Sequence, residues 1–303
     1  MTTTVSLVLG SGGARGYAHI GVIEELVARG YEIAAVAGCS MGALVGGLYA
    51  AGRLADYRDW VHELNYLDVI RLLDLSFRTP GVINGSRVFD VIADMVGDTR
   101  IEDLDIPFTA VATDLESRKE IWFQDGQLLR AIRASIAIPS LFTPVNYNGR
   151  TLVDGGVLNP LPIAPTVSSH SDLIIAVDLN ADVNPLVLQC ETPVQEADRQ
   201  QKILDRWLSK LSWRTRKYSE SDNCEQAEAT VKTGMLDIFN QSLEVMQESL
   251  ARYKMAGYSP DILVPISRNQ CRFYEFNRAE DMVRVGRLET ERILDNFEAA
   301  RNG

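Results

Sequence analysis

Over the first 180 positions the apolar residues follow two alternating rhythms. Residues 5–9 and 33–37 are short, nearly continuous apolar runs. Residues 17–29 instead place Ile20, Ile23, Leu26 and Val27 at helical spacing and stop at Gly30. A second helical stretch follows residues 33–37 and runs to about Ala51. Further apolar runs at 108–113, 121–123, 151–153 and 173–178 predict more strands. Strands this apolar must be covered on both faces. Interleaved with helices, they predict an α/β fold with a mostly parallel central sheet.

From about residue 186 to 234 the rhythm is lost and the chain turns polar and charged. This predicts a helical insertion within a single domain spanning 1–303, not a second domain. After it come a long helix through about Met255, a short strand at 262–264 and a last helix over 279–297. Residues 33–52 carry no charge, are long enough to span a bilayer and hold GxxxG spacing at Gly38, Gly42 and Gly46. Five glycines and a central Cys39-Ser40 pair divide the stretch into a buried strand, a sharp turn and a small-residue helix. The membrane-spanning alternative is set aside on that ground.

Charge and composition remove other classes. With 30 Lys+Arg against 41 Asp+Glu, the net charge of −11 opposes phosphate tracking, so no nucleic-acid partner is expected. Cys39, Cys190, Cys224 and Cys271 are scattered, with no CxxC pair and no zinc spacing. The expectation is a reduced, cytoplasmic chain with no metal and no cofactor. The first residues lack a basic segment and an apolar core, so no signal peptide is expected.

Three segments carry candidate chemistry. Gly38-Cys39-Ser40-Met41-Gly42 is a GxSxG between a predicted strand and a predicted helix. Such a tight turn strains the serine backbone and projects the hydroxyl at a helix N-terminus, where developing negative charge is favoured. The bland alternative is a chance match in a glycine-rich loop. Gly10-Ser11-Gly12-Gly13-Ala14-Arg15-Gly16 follows the first strand, and its glycines let consecutive backbone N–H groups approach an oxyanion. A dinucleotide-binding turn is the alternative. From Gly10 its third glycine position is Arg15, and the second strand ends without a ribose-binding acid. Asp154-Gly155-Gly156 ends the strand at 151–153. It is either a plain β-turn or an aspartate on the active edge of a parallel sheet.

A serine hydroxyl needs a proton acceptor, and His19, His62 and His170 are the only histidines. His170 precedes the strand at 173–177, on the edge opposite the strand C-termini. His19 lies within the first helix and His62 among charged neighbours on a helix. None is well placed, so a Ser–Asp dyad is the economical mechanism.

Together, the glycine loop with Arg15, the GxSxG at Ser40 and the Asp-Gly-Gly at Asp154 resemble the patatin-like phospholipase family. Residues 18–22 and 134–139 look like its bacterial branch related to neuropathy target esterase. The resemblance covers about residues 5–180 and continues weakly at 259–287. It implies a three-layer α/β/α fold and metal-free hydrolysis of esters in phospholipids, lysophospholipids or related lipids. It also implies Ser40 as nucleophile, Asp154 as base, and main-chain oxyanion donors at Gly12, Gly13, Ala14 and Arg15. The family loop usually opens with three glycines; here Ser11 stands at the first. The rival class is a non-enzymatic binding or regulatory protein on the same fold, which would be free to lose Ser40 or Asp154.

Two segments bear on lipid access. Residues 72–87 lack helical spacing and contain Pro80-Gly81, which predicts a loop near the mouth of an acyl pocket. At 199–217 an apolar face (Ile203, Leu204, Trp207, Leu208, Leu211) opposes Arg199, Lys202, Arg206 and Lys210. Such a helix suits a peripheral contact with the inner membrane, or docking on its own domain with a solvated basic face.

Overall fold

The computed structural model describes residues 2–64, 86–139, 142–188 and 235–302. The expected basic amphipathic helix at 199–217 lies outside them. So does the expected loop at 72–87, except for Ser86 and Arg87. Those two residues open a helix rather than close a loop, which corrects the expected boundary.

The chain runs β1 (Thr4–Leu9), α1 (Ala18–Ala28), β2 (Glu32–Cys39), α2 (Met41–Ala50), α3 (Leu54–Glu63) and α4 (Ser86–Val96). It continues through β3 (Phe108–Asp114), β4 (Lys119–Phe123), α5 (Leu128–Ser135), β5 (Val145–Tyr147), β6 (Arg150–Asp154) and β7 (Leu173–Ala181). It ends with α6 (Met235–Gly257), β8 (Ile262–Ser267) and α7 (Ala279–Asn302). The strands form one sheet in the order β5-β6-β3-β2-β1-β7-β8, with β4 beside β3. Strands β3-β2-β1-β7-β8 are parallel, whereas β6 and β4 run antiparallel to β3.

Helices cover both faces. Successive residues of a strand point to opposite sides. On the Leu9 side α2 presses close, with the Cβ position of Gly46 falling 2.7 Å from Val36 Cγ1 and 3.1 Å from Leu9 Cδ1. On the Val8 side, Val8 and Ala176 pack with Leu161, Ile163 and Ala251 of α6. The GxxxG glycines therefore serve close packing on the sheet. A Cβ on Gly42 would lie 2.0 Å from the Leu9 carbonyl oxygen. Among the described residues no helix is long and apolar enough to cross a membrane.

Two compact units are present. The sheet and its helices form the first, Met1–Leu186 with Leu243–Gly303; Val187–Ser242 form the second.

Candidate active site

Strand β3 has two edges and three partners, and that arithmetic builds the site. Residues Ala110–Asp114 pair with β4 along one edge. The other edge is shared. Strand β2 occupies its first half, ending with Cys39 opposite Val111, and β6 occupies the rest, ending with Asp154 opposite Ala112. Strands β2 and β6 thus point at each other along one edge, and their C-termini meet. The expectation put Asp154 at the end of a parallel strand. It arrives instead head-on, from an antiparallel one.

Ser40 sits between β2 and α2 with φ 55° and ψ −123°. A non-glycine residue at positive φ stores strain of about 1–3 kcal/mol, which surrounding contacts must hold. Gly38 and Gly42 make the turn fit, since a Cβ on Gly38 would lie 2.3 Å from the Gly42 carbonyl oxygen. The Ser40 N–H donates to Ser135 Oγ at 2.9 Å, and Ser135 Oγ donates to the Val111 carbonyl at 2.6 Å. Ser40 Oγ is buried and has no hydrogen-bond partner.

Asp154 is equally buried. Its Oδ1 accepts from the Gly156 N–H at 2.7 Å and lies 3.9 Å from the Cys39 thiol, while Oδ2 has no partner. Burial pushes the carboxyl up to about 6, against the opposing influence of the Ser40 hydroxyl, the Gly156 N–H and the Cys39 thiol. The hydroxyl is near enough to lower the carboxyl's pKa without meeting the geometry of a formed hydrogen bond. Two unpaired buried oxygens side by side, one a potential nucleophile and one a potential base, are a costly arrangement for a merely structural turn.

The glycine loop packs against the same turn. A Cβ on Gly16 would lie 2.3 Å from Met41 Cβ. The four predicted oxyanion donors are not equally free. The Ala14 N–H donates to the Phe273 carbonyl at 2.8 Å and the Arg15 N–H to the Gly12 carbonyl at 3.3 Å. Gly13 adopts φ +57° beneath Phe273, where any side chain would collide with the ring.

The Arg15 guanidinium turns away from Ser40. It is buried and donates to the Arg268 carbonyl (2.7 Å), Asn180 Oδ1 (2.9 Å) and Glu244 Oε1 (2.8 Å). Asn180 Nδ2 in turn donates to the Ser11 carbonyl at 2.8 Å. Arginine at this position therefore clamps the loop from behind. Arg15→Met would strand those acceptors and is expected to cost about 2–4 kcal/mol, read as a lowered Tm in thermal melts.

The histidines fall where the sequence places them. His19 is fully buried on α1, and its Nε2 lies 2.8 Å from the Gly10 carbonyl. Desolvation lowers its pKa to about 4, against the opposing Gly10 bond, so it stays neutral and braces the loop. His62 lies near the end of α3, and His170 ends the short helix Ala164–Ser169 in a left-handed conformation. The strand after it, β7, begins opposite Val5, at the start of β1. His170 is thus at the edge of the sheet away from Ser40.

Comparison with known proteins fits this geometry. Residues 7–167 match the patatin-like phospholipase family. An uncharacterized NTE family protein of Mycobacterium tuberculosis is 41% identical over 97% of this chain and 92% of its own length. The chain belongs to the patatin-like phospholipase family. Membership makes it a lipid-hydrolysing serine esterase. Human patatin-like phospholipase domain-containing protein 6 is 34% identical over 59% of this chain, which spans 13% of that relative. The Drosophila melanogaster neuropathy target esterase sws is 32% identical over 59% of this chain and 13% of its own length. The crystal structure of VipD from Legionella pneumophila shares the fold, with a TM-score of 0.57 over 97% of this chain and 67% of VipD at 14% identity.

In this patatin-like chain an apolar cleft lies beside the Ser40 turn. Gly13 of the loop and Met41, next to Ser40, line it together with Tyr17, Trp60, Phe89 and Ile136. The apolar lining suits an acyl chain. Sequence reasoning assigned no role to Ser135, although it lies in the quoted segment 134–139. A lone serine among alanines and isoleucines was the available signal, and its hydrogen-bond target was not readable.

Proposed function

We propose that the protein is a serine acyl hydrolase that cleaves ester bonds of phospholipids, lysophospholipids or related lipid esters through Ser40 and Asp154. The observation that carries this reading is the pair of buried, unpartnered oxygens, Ser40 Oγ and Asp154 Oδ2, beside an apolar cleft. Ser40 Oγ attacks the ester carbonyl while Asp154 takes its proton. The Gly12 and Gly13 N–H groups hold the oxyanion, a contribution of about 2.7–4 kcal/mol per donor in comparable sites. The alcohol leaves with the proton from Asp154. Asp154 then activates water, and the acyl-serine is hydrolysed to the fatty acid.

The base must be ionised to accept a proton. With its pKa raised to about 6, kcat/KM is expected to climb through pH 6 and level off above it. A profile flat from pH 5 to 8 would count against Asp154 as base. His170→Ala is expected to keep most activity on a short-chain aryl ester. A hundredfold loss in the folded variant would restore a triad.

Fluorophosphonate labelling of wild type beside Ser40→Ala tests the nucleophile. No labelling of wild type would favour the non-enzymatic alternative. The free thiols of Cys39 and Cys271 fit a cytoplasmic, reducing setting. On its sequence pattern, 199–217 is proposed as a peripheral membrane contact. A Trp207→Ala, Lys210→Glu variant is then expected to bind anionic vesicles less than wild type.

A further inference from the structure

Ser40 leaves the sheet with an N–H that the strand ladder no longer pairs. Strand β2 pairs with β3 only as far as Cys39 opposite Val111. An unbonded N–H buried here would cost about 1–3 kcal/mol, in addition to the strain of the turn. Ser135 Oγ supplies the missing acceptor at 2.9 Å. Its own O–H donates to the carbonyl of Val111, the residue opposite Cys39 in the ladder, at 2.6 Å. The position requires one group that accepts from an N–H and donates to a C=O. A hydroxyl does both. Ser135 is itself fully buried, so water cannot replace it.

The same segment reaches the other half of the pair. Two residues on, the Ala137 carbonyl accepts the Asp154 N–H at 2.9 Å. Ile136 and Ile138 line the apolar cleft. One short stretch at the C-terminal end of α5 thus holds the backbone of Ser40, the backbone of Asp154 and the cleft wall.

We infer that Ser135 is a positioning residue for ester hydrolysis. Its hydroxyl locks the strained torsions of Ser40 to β3 and so keeps Ser40 Oγ within reach of Asp154 Oδ2. The two reacting oxygens have no bond of their own in the resting protein, so their spacing is set by the backbones that carry them. The inference rests on Ser40 and Asp154 being the reacting pair. A misplacement of about 1 Å at a reacting centre can cost about a hundredfold in rate.

The test compares full-length wild type, Ser40→Ala, Ser135→Ala, Ser135→Thr and Ser135→Cys. Sites are counted with a fluorophosphonate, turnover of a short-chain aryl ester is measured per counted site, and each protein is melted. Ser135→Ala is expected to lose about 10–100-fold in kcat per site with KM changed less than about threefold. Ser135→Thr, which keeps a hydroxyl, is expected to recover most of it. A purely structural serine would lower Tm and the number of active sites and leave kcat per site intact. Ser135→Ala within about threefold of wild-type kcat per site overturns the inference. If Ser135→Ala does not fold, Ser135→Cys decides by the same criterion, since a thiol is a poor acceptor of nearly the same size. A wild type without turnover overturns the hydrolase reading, and this inference with it.

Discussion

Asp154→Asn is expected to lose activity and gain stability. A neutral amide cannot take the proton from Ser40. Turnover of any ester is expected to fall by about 10⁴-fold or more, as in Ser40→Ala. Stability moves the other way because the native carboxyl is raised from 3.8 to about 6, chiefly by burial. Between those two values the folded protein binds the proton more readily than the unfolded chain. The stabilisation from this group is complete below pH 3.8 and is lost as pH rises through 6. At pH 8 the native state carries the full cost of a buried carboxylate, about 2–3 kcal/mol for a shift of roughly two units. The amide removes that cost, can still accept from the Gly156 N–H, and offers Ser40 Oγ a donor. Melts of both proteins at pH 8 and pH 4.5 check this. The Tm of Asp154→Asn should exceed that of wild type clearly at pH 8 and only slightly at pH 4.5. An equal difference at both values would mean that the carboxyl is not raised.

Gly286→Val is expected to destabilise the protein by at least about 3 kcal/mol. Helices α1 and α7 cross with their backbones nearly touching. A Cβ on Gly286 would stand 2.0 Å from the Ala18 carbonyl oxygen, and one on Gly21 would stand 1.9 Å from that of Val283. Backbone cannot yield as the end of a side chain can, so the helices must separate. Helix α1 continues directly from the glycine loop and carries His19, which braces Gly10. Separation therefore disturbs the proposed oxyanion donors too, and activity should fall along with Tm, the latter by roughly 6–12 °C. Gly257→Ala is the control. Its Cβ would meet nothing within 4 Å, and a change within about 0.5 kcal/mol is expected. Equal melting of both variants would show that the crossing tolerates a side chain.

The local elements were legible because their signals are local. The all-apolar run at 33–37 and the small-residue run after Ser40 became β2 and α2, and nine of the ten α2 residues are buried. The glycines at Gly38 and Gly42 announced a turn that only small residues fit. The scarcity and poor placement of histidines could be argued before any contact was known. Helix α4 was missed, because much of the sequence before it was taken as loop.

What the sequence by itself determined is where the candidate motifs lie and which elements carry them. Side-chain periodicity and turn composition act over a few residues, and they suffice for that. The tertiary structure alone decided that β6 runs antiparallel and meets β2 along one edge of β3. It also decided that the Arg15 guanidinium points away from Ser40, and that Ser135 answers the Ser40 N–H. Each of these joins residues from about 95 to 253 positions apart. Such pairings follow from which surfaces meet once the core is packed. A strand's own pattern says which face is buried. It does not say which neighbour fills the rest of an edge, nor where an unpaired N–H will find its acceptor.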